Sequence, residues 1–471
     1  MSRSHASLLL LAWVSSAQLL ADPLDASGPS PSCATSKAWG PNPCSFSSSM
    51  VLSANTSWRS HGSLPARVWG LAGASEVVTL SGLPAGASVL PSNPFTADAS
   101  GAWSITVSSA PSPSAVNLTF AGSSGQRAVL SDVLFGLTVL CSGQSNMDMD
   151  VGDSFYANET LANKGAFPTI RLKRGTNSAW ARSSASNATL SGFSAVCYFS
   201  AMHMQLSLPA MQSMPVGLVQ ASVGGTTIET WMSSDALLAA GYPPANATCG
   251  VHSCAEQANC ANYIPNILPY APFTFGALLW YQGEANVGCN AAASPPWWAY
   301  RGLLISLVDS WRALFASPFP AYIFQLAPFG STDATPPLRT SDALPRLRAA
   351  QASAASALNN AEVMVNIDMG DDGVSVYTPP SYRHGGIQLS LIFCGLIPPP
   401  MCEACCCGVF PLLARSPHWH HRPFTHSHAH VHAHTQQPSQ QDRVWAAACP
   451  ALWRPGGPAA PWRGLPGPTP C

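Results

Sequence analysis

Charge is what this sequence has least of. Only 9% of its 471 residues are Asp, Glu, Lys or Arg, and the signs balance, with 21 Lys and Arg against 22 Asp and Glu. A nucleic-acid partner or an anionic membrane surface calls for a basic patch, and this composition offers no electrostatic case for either. Long hydrophobic runs are also lacking. Beyond the N-terminus no segment reaches the roughly 18 apolar residues that a membrane-spanning helix needs. What is plentiful is core material: 47% of residues are hydrophobic, and the length suggests about three domains.

Residues 1–21 read as a secretory signal. Arg3 gives the positive start, Leu8 to Val14 the apolar stretch, and small residues before or at Ala21 the exit. Five Asn-x-Ser/Thr sequons, at Asn55, Asn117, Asn158, Asn187 and Asn246, agree with passage through the secretory pathway. The 15 cysteines include Cys33 and Cys44 near the mature start and Cys249, Cys254 and Cys260 in one loop. In an oxidising compartment these are better read as disulfide partners than as metal ligands, with the pairing left open.

The chain then divides by pattern. Residues 22–50 are Ser/Pro-rich and irregular. Over 51–131, short β-like runs such as Ala66–Trp69, Ala102–Val107 and Val116–Phe120 alternate with turns, which suggests a small antiparallel β-sandwich with an accessory role. From Asp132 to residue 388, apolar strand candidates alternate with longer segments, the pattern of βα units around a parallel sheet. Tyr300, Leu303, Leu304, Leu307, Val308, Trp311 and Leu314 form one apolar stripe at helical spacing. Leu344 to Leu358 is a second expected helix. Residues 389–471 carry a Cys cluster, a His-rich run and a Pro/Trp-rich end without any period, and are expected to be disordered. Their Cys and His spacing fits no zinc pattern, so no metal site is assigned.

Three strand ends carry polar motifs. The nearly continuous apolar run Val133–Cys141 stops at Ser142-Gly143-Gln144-Ser145-Asn146-Met147. Val216–Ala221 leads into Ser222-Val223-Gly224-Gly225-Thr226-Thr227-Ile228-Glu229-Thr230-Trp231, and Phe275–Trp280 into Tyr281-Gln282-Gly283-Glu284-Ala285-Asn286. In open α/β sheets chemistry gathers beyond the carboxyl ends of the strands. Ser145 therefore stands where a nucleophile is expected, with backbone N–H groups beside it for an oxyanion. For any one motif the plain alternative is a turn: Ser or Asn as a helix cap, Gly for a positive φ. The three together, 80 and then 61 positions apart from Ser145 to Gly225 to Asn286, favour one shared crevice.

GQSNMDM, GGTTIETW and LLWYQGEAN resemble the sialate O-acetylesterases within the SGNH (GDSL-like) hydrolase superfamily, over roughly residues 60–387. The resemblance implies an SGNH-hydrolase-like α/β fold, a parallel sheet flanked by helices, and a serine esterase removing O-acetyl groups from sugars without metal or organic cofactor. It makes Ser145 the nucleophile, Gly225 (or Gly224) and Asn286 the oxyanion donors, and Gln144 and Glu284 supporting hydrogen-bond partners.

A serine nucleophile also needs a base. Relatives carry it late, in a D-x-x-H or G-I-H-P segment, and His384 is the last histidine before the tail. Ser381, not Asp, stands three residues before it, and no Pro follows. In a second alignment Gly385-Gly386-Ile387 is the family's G-G-I, and Gln388 occupies the place of the catalytic His. Both alignments stay open. The expectation is thus a secreted or lysosomal esterase acting on O-acetylated sialic acids. Its alternatives are a xylan or pectin acetylesterase and a catalytically impaired carbohydrate-binding homologue.

Overall fold

The computed structural model describes residues 38–55, 64–154, 157–252, 257–287, 299–327 and 343–365. The signal segment, His61, His384, Gln388 and the tail lie outside the described residues.

Six parallel strands, numbered β1 to β6 in chain order, form the sheet that positions the site. They are β1 (Arg127–Gly143), β2 (Ile170–Arg174), β3 (Val216–Ser222), β4 (Ala277–Tyr281), β5 (Ala321–Phe324) and β6 (Ala361–Met364). Their order across the sheet is β2-β3-β1-β4-β5-β6, with Ala181–Arg182 antiparallel on the β2 edge. The expected α/β sheet is present. β3, β4, β5 and the second half of β1 are buried almost residue for residue, because layers cover both faces and leave no solvent side to alternate with. Since β1 is flanked by β3 on one side and β4 on the other, the chain switches direction around its carboxyl end.

β1 runs through the position where the sequence pattern changes. Residues from Arg127 to Phe135 pair antiparallel with Ser112–Gly122, while Leu137 onward pairs in parallel with β3. At the register shift between Leu130 and Val133, Asp132 takes φ +57°, and its carboxylate meets Arg171 at 3.2 Å and Arg182 at 2.8 Å. Ahead of β1, the buried Val51–Ser53 pairs in parallel with Leu134–Gly136, and the other strands are antiparallel, several half-buried with a period of two, as in Ala66–Leu71 and Val77–Ser81. They make one sheet from Gly40–Pro41, Ala66–Leu71, Ala102–Ser108 and Ser88–Leu90, and a second set that hydrogen-bonds onto β1. Trp103 of the first sheet stacks on Phe120 of the second at 5.5 Å and meets Phe95 at 5.1 Å, so an aromatic layer separates them.

Five helices bear on the site: α1 (Ser145–Asp148), α2 (Ala195–Ser207), α3 (Glu284–Val287), α4 (Ala299–Leu314) and α5 (Ala343–Ala357). The stripe expected on α4 is buried at Tyr300, Leu303, Leu304, Leu307, Val308 and Trp311. At about 1.5–3 kcal/mol for each large apolar side chain, that face contributes on the order of 10 kcal/mol, an upper estimate. Trp311 packs edge-on to Trp280 of β4 at 5.7 Å, and Trp280 in turn to Trp231 at 6.3 Å. Two disulfides join described residues. Cys249–Cys260 closes the loop in which cysteine pairing was expected, and Cys141–Cys197 ties β1 to α2, a pairing the sequence did not suggest.

Candidate active site

The end of β1 is shaped by a close approach. Gly143 takes φ +143°, and a Cβ there would fall 2.0 Å from the Tyr281 carbonyl oxygen of β4. Glycine is thus required for β1 and β4 to stay adjacent to their ends. Gln144 N–H then donates to Tyr281 O at 3.0 Å, and the N–H groups of Met147 and Asp148 donate back to Gln144 O to start α1. Gln144 and Met147 are buried and anchor this turn, whereas Ser145 between them is exposed. Among the described residues nothing is hydrogen-bonded to the Ser145 N–H or hydroxyl.

The loop after β3 lies against this serine. Val223 N–H donates to Gly143 O at 3.1 Å, tying the two strand ends together. A Cβ built on Gly224 would stand 3.8 Å from Ser145 Cβ, while Gly225 takes φ +73° with open space around it. Of the two glycines the sequence left as alternatives, Gly224 abuts Ser145 and Gly225 makes the left-handed turn. The loop is braced from behind, with Trp231 Nε1 donating to Thr226 Oγ1 (2.9 Å) and Gln257 Nε2 to Gly225 O (2.7 Å).

The third strand end is welded to the first by side-chain amides. Gln144 Oε1 accepts from Gln282 Nε2 (3.2 Å), Gly283 N (3.1 Å) and Ala285 N (3.2 Å). The Gln282 amide is held in turn by the Tyr300 hydroxyl, which donates to its Oε1 at 2.8 Å. Asn286 Oδ1 accepts from Gln282 Nε2 (2.7 Å) and Ile228 N (3.0 Å), and Asn286 Nδ2 donates to Glu229 Oε2 (3.0 Å). Two donors on its oxygen and one acceptor on its nitrogen fix which way the amide faces.

Glu284 completes the wall next to the serine turn. Its Oε1 accepts from Asn146 Nδ2 at 2.5 Å, while its buried Oε2 has no partner among the described residues. Burial pushes its carboxyl up to about 7 in spite of the Asn146 bond, because the charged form loses its hydration there. His203, on α2, is pushed down to about 4 by burial and is neutral at physiological pH.

The structure thus brings Ser145, Gly224, Gly225 and the Asn286 network to neighbouring strand ends and shows the hydrogen bonds of Gln144 and Glu284. His384 lies outside the described residues, and among those residues no histidine is hydrogen-bonded to Ser145. Sequence reasoning quoted Glu229 and Gln282 inside their motifs without giving them roles. A signal for Glu229 was available, since it is a carboxylate within a neutral run of a chain that is only 9% charged.

A family model for carbohydrate esterases, sialic acid-specific acetylesterases, matches residues 137–365, which take in all three strand ends. Over these residues, just under half of the chain, the sequence is similar to that family. The sialate O-acetylesterases of Pongo abelii and Homo sapiens are each 28% identical to this chain over 237 residues. Those alignments cover 46% of this chain and 43% of theirs, so the chain matches less than half the length of these relatives. Among solved structures, a carbohydrate acetylesterase from Xanthomonas citri superposes with a TM-score of 0.57 at 22% identity, over 75% of this chain and 74% of that one. At that identity the likeness is one of fold.

Proposed function

We propose that the chain is a serine esterase that hydrolyses O-acetyl esters of sugars, O-acetylated sialic acids foremost. The family-model match favours this chemistry, and the sialate relatives favour this substrate over acetylated xylan or pectin. The observation that carries the reading is an exposed serine at the strand-order switch point, with a glycine loop against it and an amide of fixed facing nearby.

In the proposed reaction Ser145 Oγ attacks the acetyl carbonyl and passes its proton to a base. The oxyanion collects the Ser145 N–H, a backbone N–H of the Gly224–Gly225 turn and an N–H of Asn286 Nδ2. An amide nitrogen has two N–H bonds, and Glu229 takes one of them. The tetrahedral intermediate collapses to acetyl-Ser145, expelling the sugar hydroxyl with the proton from the base. Water, deprotonated by that base, then releases acetate and restores the serine. His384 is the residue put forward for the base; in the second alignment Gln388 stands in the place of the catalytic His, and no base is supplied at that position.

The wider organisation belongs to the same proposal: a β-sandwich-like accessory region over 51–131, a catalytic region from Asp132 to about 388, a low-complexity Cys/His/Pro-rich tail after it, and a secreted or lysosomal location. Two disulfides and the exposure of four sequon asparagines, Asn117, Asn158, Asn187 and Asn246, support that location.

The test is acetate release from O-acetylated sialic acid and from acetylated xylan. Ser145→Ala is expected to leave only background release with the fold intact, and Asn286→Ala to lose about 10²–10³ in kcat. Wild-type turnover in Ser145→Ala would sink the assignment. Faster turnover of the xylan would move the substrate to plant polysaccharides.

A further inference from the structure

Glu229 is a buried carboxylate with an unusual set of partners. It is 1% exposed, and among the described residues no Lys, Arg or His side chain pairs with it. Its Oε2 accepts from Asn286 Nδ2 at 3.0 Å and its Oε1 from the Tyr242 hydroxyl at 2.8 Å. Burying a charge without a cation is costly, so a glutamine of the same shape would be the cheaper residue for filling this space. The negative charge is also a disadvantage to catalysis, since it lies one hydrogen bond from the amide meant to receive an oxyanion. Packing alone does not account for it.

What a carboxylate has and a glutamine lacks is that both oxygens only accept. Opposite a glutamine, Asn286 finds a partner in either facing, nitrogen toward its carbonyl or oxygen toward its amide. Opposite Glu229, only the nitrogen-inward facing is bonded. The flipped amide would set two oxygens against each other and lose the donors from Ile228 N and Gln282 Nε2. The Tyr242 hydroxyl, itself buried, occupies the other oxygen and holds the carboxylate in place. We infer that Glu229 is a positioning residue for the reaction: by accepting one N–H of Asn286 Nδ2 it fixes the amide so that the second N–H is the one left for the oxyanion, and Tyr242 holds the lock.

This inference rests on the esterase reading and deepens it. The experiment is steady-state hydrolysis of 4-nitrophenyl acetate by the wild type, Ser145→Ala, Glu229→Gln, Glu229→Asp, Asn286→Ala and the double variant Glu229→Gln with Asn286→Ala. Thermal unfolding of each confirms folding.

Glu229→Gln should lower kcat by roughly 10- to 100-fold, part of the loss for a whole donor, with KM within about threefold. Glu229→Asp, which keeps an acceptor-only group, should recover part of that loss. The double variant should be no slower than Asn286→Ala alone, because the lock has nothing left to hold. Tyr242→Phe should give a smaller fall in kcat that also vanishes in the Asn286→Ala background. It carries the test if Glu229→Gln does not fold.

A kcat near wild type in Glu229→Gln, or losses that multiply in the double variant, would overturn the inference while leaving the esterase reading in place. A wild type no faster than Ser145→Ala would remove both.

Discussion

Replacing Glu284 with glutamine should change how stability depends on pH more than it changes stability at any one pH. Glu284 has its ordinary carboxyl value of 4.5 in the unfolded chain and is pushed up to about 7 in the folded one by burial. Between these values the unfolded chain has lost the proton and the folded chain still holds it. Stability therefore falls as pH rises through this window, is fully present below it and is flat above. At about 1.4 kcal/mol for each tenfold change in proton affinity, the window is worth on the order of 3 kcal/mol. Glutamine keeps an oxygen for the Asn146 amide and has no proton to lose. Urea unfolding of wild type and Glu284→Gln from pH about 4.5 to about 8 should give curves that diverge by about that amount, in favour of glutamine at the alkaline end. Taking the difference cancels every other titrating group. Parallel curves, or divergence toward the acid end, would refute the argument that burial governs this carboxyl.

Two further outcomes test the frame around the site. Cys141→Ala with Cys197→Ala opens a bridge of sequence separation 56 and should lower unfolding free energy by about 4 kcal/mol on the chain-entropy account, read by urea titration without reductant. A loss under about 1 kcal/mol would mean the bridge constrains the unfolded chain little. Asp132→Ala leaves the Arg171 guanidinium, with its side chain 4% exposed, without its carboxylate, and should cost about 3 kcal/mol. Asp132→Gly loses the same pairs but relieves the backbone at φ +57°, so it should melt above Asp132→Ala by about 1 kcal/mol in stability; the reverse order would show that the backbone there is unstrained.

The parallel strands were legible because a strand covered on both faces needs an unbroken apolar run, and Val133–Cys141, Val216–Ala221 and Phe275–Trp280 are such runs. The α4 stripe was legible for the corresponding reason, since its period is helical and its six buried members all lie on it. Less legible was the continuity of β1. Alternation up to Leu130 and solid hydrophobicity from Val133 suggest two elements, yet they are one strand that exchanges an antiparallel neighbour for parallel ones. Cys141 was hidden by its setting, since a half-cystine inside an apolar strand looks like any small hydrophobe. The choice between Gly224 and Gly225 and the task of Glu229 depend on which atoms meet across strand ends. Identity along one strand carries no such information.

The central position of β1 also bears on how the molecule is made. Its antiparallel partner, Ser112–Gly122, precedes it closely, but the strands on its two flanks are not complete until Ser222 and Tyr281. A ribosome adding about 5–20 residues per second needs on the order of ten seconds to go from Gly143 to Tyr281. Through that interval the part of β1 up to Gly136 can pair with strands already made, while Leu137–Gly143 waits with both edges unpaired. The strand that leads into Ser145 is thus open to mispairing in the nascent chain, and slower elongation between these residues should raise its dependence on chaperones.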